Sequence, residues 1–416
     1  MLKVVLPVVF SLLLPLSSLL HKKIRTMIAR IFILLILVIV LPFLYIDYGM
    51  MKERWRGSKW KHVLLWLPCI GMLVYTLLLA QLRSFAPIET WQLFLYLLLL
   101  GVFIVPAAMF ALCSLIGGWC KRKGWTSRNN GRRVGVVLGV MCLLLVIYGA
   151  FFGGKGVNVR RVDYYSAQLP PAFDGYRVAL FSDAHVGSYI WGSIGQLDIV
   201  VDSLNAQHAN MIAFTGDLQN MHPDELLPAI PIMKRLNAAD GVFSVLGNHD
   251  YGDYLRADSA TTKHNHQLML GRQKEMGWHL LLDENFTVRR GGDSIFIAGM
   301  HNDGKVPIPT KGDPDKAMAG VPQGAFTIML EHDPASWQRT VLPRTTAQLT
   351  LSGHTHGGQV NIAGVSPAAI TCNEYDGMYK DASGRALFVT TGISGFVPFR
   401  IGLKPEVVVI TLHRKN

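Results

Sequence analysis

Two histidines stand two residues apart, His354 and His356, in the stretch LTLSGHTHGGQ at 349–359, directly after an apolar, β-prone run. In extended backbone, residues i and i+2 point to the same side, so two imidazoles at this spacing can converge on one ion or on two adjacent ones. Gly353 and Gly357 on either side let the backbone approach whatever the pair holds. Alone, such a pair is more often an ordinary surface or core feature, so the rest of the chain must supply partners.

Four other clusters do. The run YRVALFS leads into Asp183-Ala184-His185, and MIAF into Thr215-Gly216-Asp217. VFSVL leads into Gly247-Asn248-His249-Asp250, and FTIML into Glu331-His332-Asp333-Pro334. Each has a plain reading taken singly: a surface histidine in a turn, a β-turn, a hairpin loop, a helix cap. Together, in this order and each at the end of an apolar run, they leave that reading little room. Carboxylate, amide and imidazole donors without thiolate suit divalent ions such as Mn, Fe, Zn or Ni. One carboxylate can bridge two ions at ~3.5–4 Å.

The elements that must present these groups are strands alternating with helix-compatible segments at 197–206 and 223–236, a pattern that predicts an α/β domain. In such folds ligand sites form beyond the carboxyl ends of strands, where all five clusters fall.

The set SDAH, TGD, GNHD, EHDP and GHTHGGQ resembles the calcineurin-like metallophosphoesterase family, from about residue 176 to 359, and the tail PFRIGLKPEVVVITL resembles its membrane-anchored bacterial branch. The resemblance implies a metallophosphoesterase-type β-sandwich flanked by helices and two divalent metal ions, with manganese favoured. It assigns Asp183, His185, Asp217 and His356 to the first ion, and Asp217, Asn248, His332 and His354 to the second. A hydroxide bridging the metals would attack phosphorus in line, with the ions stabilising charge on the non-bridging oxygens. His249 is then the acid for the leaving oxygen, with Asp250 expected to orient it. Gly357 and Gly358 are read as room for the substrate phosphate, and His301, after the run at 295–298, as a further substrate-binding candidate. A second histidine pair, His264 and His266, lacks a leading strand and is read as helix or loop surface. The Pro- and Gly-rich stretch 305–324 could shape the substrate pocket or simply connect. Tyr189, Ile190 and Trp191 could meet an acyl chain or the bilayer, or start a buried helix.

Charge divides the chain near residue 152. Of the 40 Lys+Arg and 28 Asp+Glu, residues 1–152 hold 17 and 3, and the remainder holds 23 and 25. The net charge of +12 therefore belongs to the first part, and the nearly neutral remainder gives no reason to expect nucleic acid. Apolar segments at 4–20, 27–48, 63–82, 91–119 and 134–152 predict an all-α transmembrane bundle of four or five helices, with Trp60, Trp66, Trp91, Trp119 and Trp125 near segment ends. No ionisable residue is expected deep within a span. The loops 52–61 and 121–133 are strongly basic, which puts them in the cytoplasm and residue 153 onward on the extracytoplasmic side. The basic loop 22–30 opposes that orientation. Of the five cysteines only Cys372 follows residue 152, and no CxxC pair exists, so neither a disulfide within the soluble part nor a thiolate zinc knuckle is available.

The expected organisation is a transmembrane region over 1–152, a linker and domain entry over 153–175, and a catalytic domain over 176–416. The expected protein is a multi-pass, membrane-anchored phosphohydrolase cleaving a phosphate monoester, diester or pyrophosphate bond in a lipid-linked or cell-envelope substrate at the bilayer. One alternative is a UDP-2,3-diacylglucosamine-type pyrophosphatase, whose cytoplasmic substrate conflicts with the loop charges. Another is a membrane receptor that binds metal or ligand without catalysis, which would have no need of the acid His249.

Overall fold

The computed structural model describes residues 27–82, 90–189, 193–304 and 311–415. The expected segment 4–20, Ile190 and Trp191 lie outside the described residues, as does the start of the 305–324 stretch.

Among the described residues, four helices are long and apolar enough to cross a bilayer. Helix α1 (Met27–Ile46) continues into a wide π turn at Asp47–Met51, followed by α2 (Lys59–Ala80). Helix α3 covers Thr90–Arg122 with a second π turn at Leu100–Ile104, and α4 covers Gly131–Phe151. Large apolar side chains such as Leu34, Leu67 and Leu144 stand more than half exposed, as lipid-facing residues do. Asp47 is buried between α1 and α2, where His62 Nδ1 lies 2.5 Å from its Oδ1 and Trp66 Nε1 donates to its Oδ2 at 2.8 Å. Two donors satisfy the carboxylate, and this makes its burial tolerable.

Two six-stranded sheets follow. The first runs β1 (Asn158–Ser166), β12 (Glu406–Arg414), β2 (Tyr176–Phe181), β3 (Met211–Phe214), β4 (Val242–Ser244) and β5 (His279–Leu280). The second runs β10 (Gly377–Lys380), β11 (Ala386–Val389), β9 (Leu349–Ser352), β8 (Thr327–Leu330), β7 (Asp293–Gly299) and β6 (Glu284–Arg290). The strands β2-β3-β4-β5 and β11-β9-β8-β7 are parallel. Of these, β2, β3 and β8 are buried on both faces over most of their length, which is why they read as continuous runs rather than alternating ones.

Alternation still sorts the side chains. In β2, Val178 and Leu180 join Phe243, Ile297, Leu330, Leu351 and Ile410 in the core between the sheets. Ala179 and Phe181 point the other way and meet Leu197, Val201 and Leu204 of α5 (Gly195–Asn205). On the far face of the second sheet, Met329 and Leu387 pack against Trp337 and Val341. The result is a sandwich with helices outside each sheet. Burying one such Leu or Ile stabilises by about 1.5–3 kcal/mol. The segment 223–236 forms short turns, Pro223–Leu226 and Ile230–Met233, instead of one helix. Pro228 and Pro231 each lack an amide donor and interrupt it. His264 and His266 lie on α6 (Ser259–Glu275), capped by Asp258, whose side chain accepts from Thr261 N.

Candidate metal centre

Five strands end at one place. The loops after β2, β3 and β4 come from the first sheet, and those after β8 and β9 from the second. Backbone hydrogen bonds latch them together. Asp183 N donates to Gly216 O at 2.9 Å and His185 N to Asp217 O at 3.0 Å. Side chains extend the latch: Asp217 Oδ1 accepts from His249 N at 2.9 Å, and Asp183 Oδ1 from His354 N at 3.0 Å.

Asp183, His185 and His356 each offer a ligand atom within 4.8 Å of the others, as do Asp217, His332 and His354. A third group, His185, Asp217 and His249, overlaps both. The backbone is strained where these side chains originate. Asp183 (φ 56°), His185 (41°), Asp217 (59°), His354 (72°) and His356 (52°) all occupy the left-handed region. Non-glycine residues there cost of order 1–3 kcal/mol each and persist where the surroundings dictate them.

The donor atoms themselves test whether metal fits. His185 Nδ1 is 2.8 Å from Asn220 Oδ1 and must donate to it, which leaves Nε2 as a bare lone pair. That Nε2 is buried without a hydrogen-bond partner, and so are His356 Nδ1 and Asn248 Oδ1. The Asn248 amide donates through Nδ2 to Tyr254 Oη at 2.8 Å, so its oxygen is turned the other way. His332 Nδ1 donates to Thr215 O at 2.6 Å, and its Nε2 lies 3.1 Å from both Asp217 Oδ2 and His354 Nδ1. Buried acceptors gathered without donors are costly for a protein and are what a divalent cation satisfies. The set is oxygen and imidazole nitrogen alone, so it fits a hard or borderline divalent ion.

Electrostatics agree. Burial pushes His185 down to about 3 and His356 well below the usual imidazole range, so both are neutral ligands at pH 7. Burial alone would raise the Asp217 carboxyl, but the imidazoles of His332 and His249 hold it well below the usual range. Burial works against charge on His332 too, yet Asp217 beside it raises it to about 10. The same negative charge that draws a proton onto His332 would hold a divalent cation in its place.

Other expected site residues fall differently. Asp250 does not orient His249. Its carboxylate accepts from the backbone N–H groups of Asp217, Leu218, Gln219 and Gly247 at 2.9–3.1 Å and so shapes the two loops. The His249 ring is set by Asn220 O, 2.6 Å from its Nδ1. Gly357 and Gly358 do not leave open room: an added Cβ would lie 2.8 Å from Thr391 Cγ2 and 2.6 Å from Ser366 Oγ respectively. His301 lies outside the metal groups. It meets Tyr251 Oη at 3.0 Å and lines a polar cavity of about 570 Å³ with Tyr251, His266 and Lys311.

Sequence reasoning missed Asn220, which sets the rings of His185 and His249, and Phe396, whose ring lies 5.3 Å from that of His249 and 6.4 Å from that of His185. It also missed Arg400, a fully buried guanidinium that donates to the carbonyls of Thr391, Gly392 and Ser394 beside Asp183. An arginine among apolar neighbours in PFRIG was the one available signal.

Comparison with known proteins now defines the class. Residues 176–358 match the calcineurin-like phosphoesterase family, and residues 29–154 match a transmembrane domain described as that of a probable calcineurin-like phosphoesterase. The uncharacterized metallophosphoesterase YkuE of Bacillus subtilis is 30% identical over 268 residues, 60% of this chain and 84% of the relative. A Bos taurus transmembrane protein with metallophosphoesterase domain is 25% identical over 338 residues, 76% of this chain and 72% of the relative. A dimetal phosphatase from Danio rerio, of known structure, aligns with a TM-score of 0.32 and 13% identity over 53% of this chain and 88% of that one.

The chain belongs to the calcineurin-like metallophosphoesterases. It is a membrane-associated, metal-dependent phosphoesterase, with a fold and His/Asp clusters suited to two metal ions and with phosphate esters as its substrates.

Proposed function

We propose that this enzyme hydrolyses a phosphate ester or pyrophosphate bond of a lipid-linked or cell-envelope substrate, on the extracytoplasmic face. The observation that carries the catalytic reading is the convergence of unpartnered buried donor atoms, His185 Nε2, His356 Nδ1 and Asn248 Oδ1, on the ends of both sheets. Asp183, His185 and His356 would hold one divalent ion and Asn248, His332 and His354 the other, with Asp217 between them. Such ions supply Lewis-acid stabilisation of charge on the phosphoryl oxygens and an activated water, and manganese is the ion we favour.

The chain supplies orientation and a proton. Asn220 O accepts from His249 Nδ1, so Nε2 is the nitrogen free to serve the leaving oxygen. The oxygen of water bonds to phosphorus as water's proton passes to solvent, the bond from phosphorus to the leaving oxygen breaks, and that oxygen takes the proton that His249, as an imidazolium, carries on Nε2. The Phe396 ring packs on that of His249, with centroids 5.3 Å apart. The basic loops 52–61 and 121–133 support the extracytoplasmic placement.

Purified full-length protein with Mn²⁺ should hydrolyse bis-p-nitrophenyl phosphate. Asp217→Asn should abolish turnover, and His249→Ala should lower kcat by roughly 10²–10⁴-fold. Absence of turnover at full metal occupancy, with Mn²⁺, Zn²⁺, Fe²⁺ and Ni²⁺ each tried, contradicts the proposal.

A further inference from the structure

A second cavity, of about 480 Å³, lies on the other side of the segment that carries Phe396. One wall is Phe94 and Phe151, whose rings meet edge to face at 6.3 Å. These two residues belong to the membrane-spanning helices α3 and α4, at the ends where those helices join the sandwich unit. Phe151 is 44% exposed and Ile199 of α5, on the same cavity, 50%, so apolar surface opens here. The opposite wall is Val397, Pro398 and Phe399.

The cavity and the metal centre are one residue layer apart. Val397 to Phe399 face the cavity, while the preceding Phe396 packs on His249 and His185. Ser188 also lines the cavity, and its Oγ accepts from Asn220 Nδ2 at 2.9 Å, the amide that holds His185. The wall carries buried positive charge. Arg400 is 2% exposed, its Nε has no hydrogen-bond partner, and it lines this cavity. Lys155 stands on the same cavity. An apolar slot continuous with two membrane helices, with an incompletely satisfied buried cation beside a phosphoesterase centre, matches the chemistry of a phosphate-bearing lipid.

Resting on the phosphohydrolase reading above, we propose that this cavity receives an acyl chain of the substrate, so that the enzyme acts on a phospholipid or lipid-linked phosphate whose ester reaches the metal centre past Phe396. The chain length of the substrate then sets the rate, because each methylene buried adds binding that a water-soluble ester cannot make.

The test uses ethyl, octyl and dodecyl p-nitrophenyl phosphates with full-length protein in detergent at fixed mole fraction. In the wild type, kcat/KM should rise at least tenfold from ethyl to octyl. In Ile199→Asp, which charges the cavity, and Val397→Trp, which fills it, the rise should shrink to less than threefold while ethyl turnover stays within twofold. A second arm uses phosphatidic acid bearing a diazirine at its chain end. Cross-links should map to 393–400 or 193–199 and be lost in Val397→Trp. Equal rates for all chain lengths, or an undiminished rise in both variants, overturns the proposal, even where a cross-link shows a resident lipid. If no ester is hydrolysed but the cross-link forms and Val397→Trp abolishes it, the phosphohydrolase reading fails and the lipid site stands. Labelling elsewhere, unchanged by Val397→Trp, overturns the lipid site itself.

Discussion

Asn220 shows how a residue that touches neither metal nor substrate can govern a site. Its side chain fixes the Nδ1–H tautomer of His185, and its backbone carbonyl accepts from Nδ1–H of His249 and so orients that ring. The two contacts can be separated by mutation. Asn220→Ala removes the first and keeps the second, so metal affinity should fall by ~10–100-fold while the acid stays in place. Titration with Mn²⁺ followed by turnover at saturation would reveal this: a weakened Kd with kcat largely recovered at high metal. A loss of kcat with unchanged affinity would show instead that Asn220 serves the acid. The seven expected ligands stand out in the sequence because their five motifs each follow an apolar run. Asn220 was not, since it stands beyond TGD in a stretch, DLQN, with no pattern of its own. Asp250 was misassigned for a related reason. Adjacency in sequence suggested a pair with His249, whereas the turn points its carboxylate at four backbone amides.

At the level of elements, one of the polar contacts that tie the two sheets can be read by pH. Tyr164 of β1 donates to Gln348 O, just before β9, at 2.8 Å. Burial, and then the charge of Asp381, push its hydroxyl up from 10.0 to about 12. A group raised in the folded state stabilises fully below its unfolded value and loses that contribution as pH rises through the folded one. The protonated Tyr164 therefore supports the fold below pH 10, and this support is lost between 10 and about 12. Tyr164→Phe should lower stability at pH 8 by about 0.5–1.5 kcal/mol and flatten the fall in Tm over the alkaline window. A parallel alkaline fall in wild type and variant would refute the assignment. The strands of this sandwich were visible in sequence because they are unbroken apolar runs. The helix expected over 223–236 was not realised because its apolar spacing outweighed Pro228 and Pro231 in the reading, while in the chain the missing amides decide.

For the whole molecule, the charge division at residue 152 and the four apolar helices together make a membrane protein with an appended phosphoesterase sandwich. Sequence could mark the spans by length and hydropathy. It could not show that Asp47 is buried between α1 and α2 against His62 and Trp66, because that partnership exists only once the helices pack. The proposed placement of the sandwich outside the cytoplasm rests on the basic loops. Alkaline phosphatase fused after Asn416 should be active and a green fluorescent protein at the same position dark. The reverse pattern would put the substrate in the cytoplasm and restore the nucleotide-linked alternative.

The central claim is that both sheets converge to hold two divalent ions that the hydrolysis requires. Its most direct test is metal content measured together with turnover on one preparation of the full-length chain. Stripping with a chelator should abolish hydrolysis of bis-p-nitrophenyl phosphate, and titrating Mn²⁺ back should restore it as occupancy approaches about two ions per chain, the number a bridged carboxylate site holds. Turnover that survives complete removal of metal, or a chain that binds none while folded, would contradict the account.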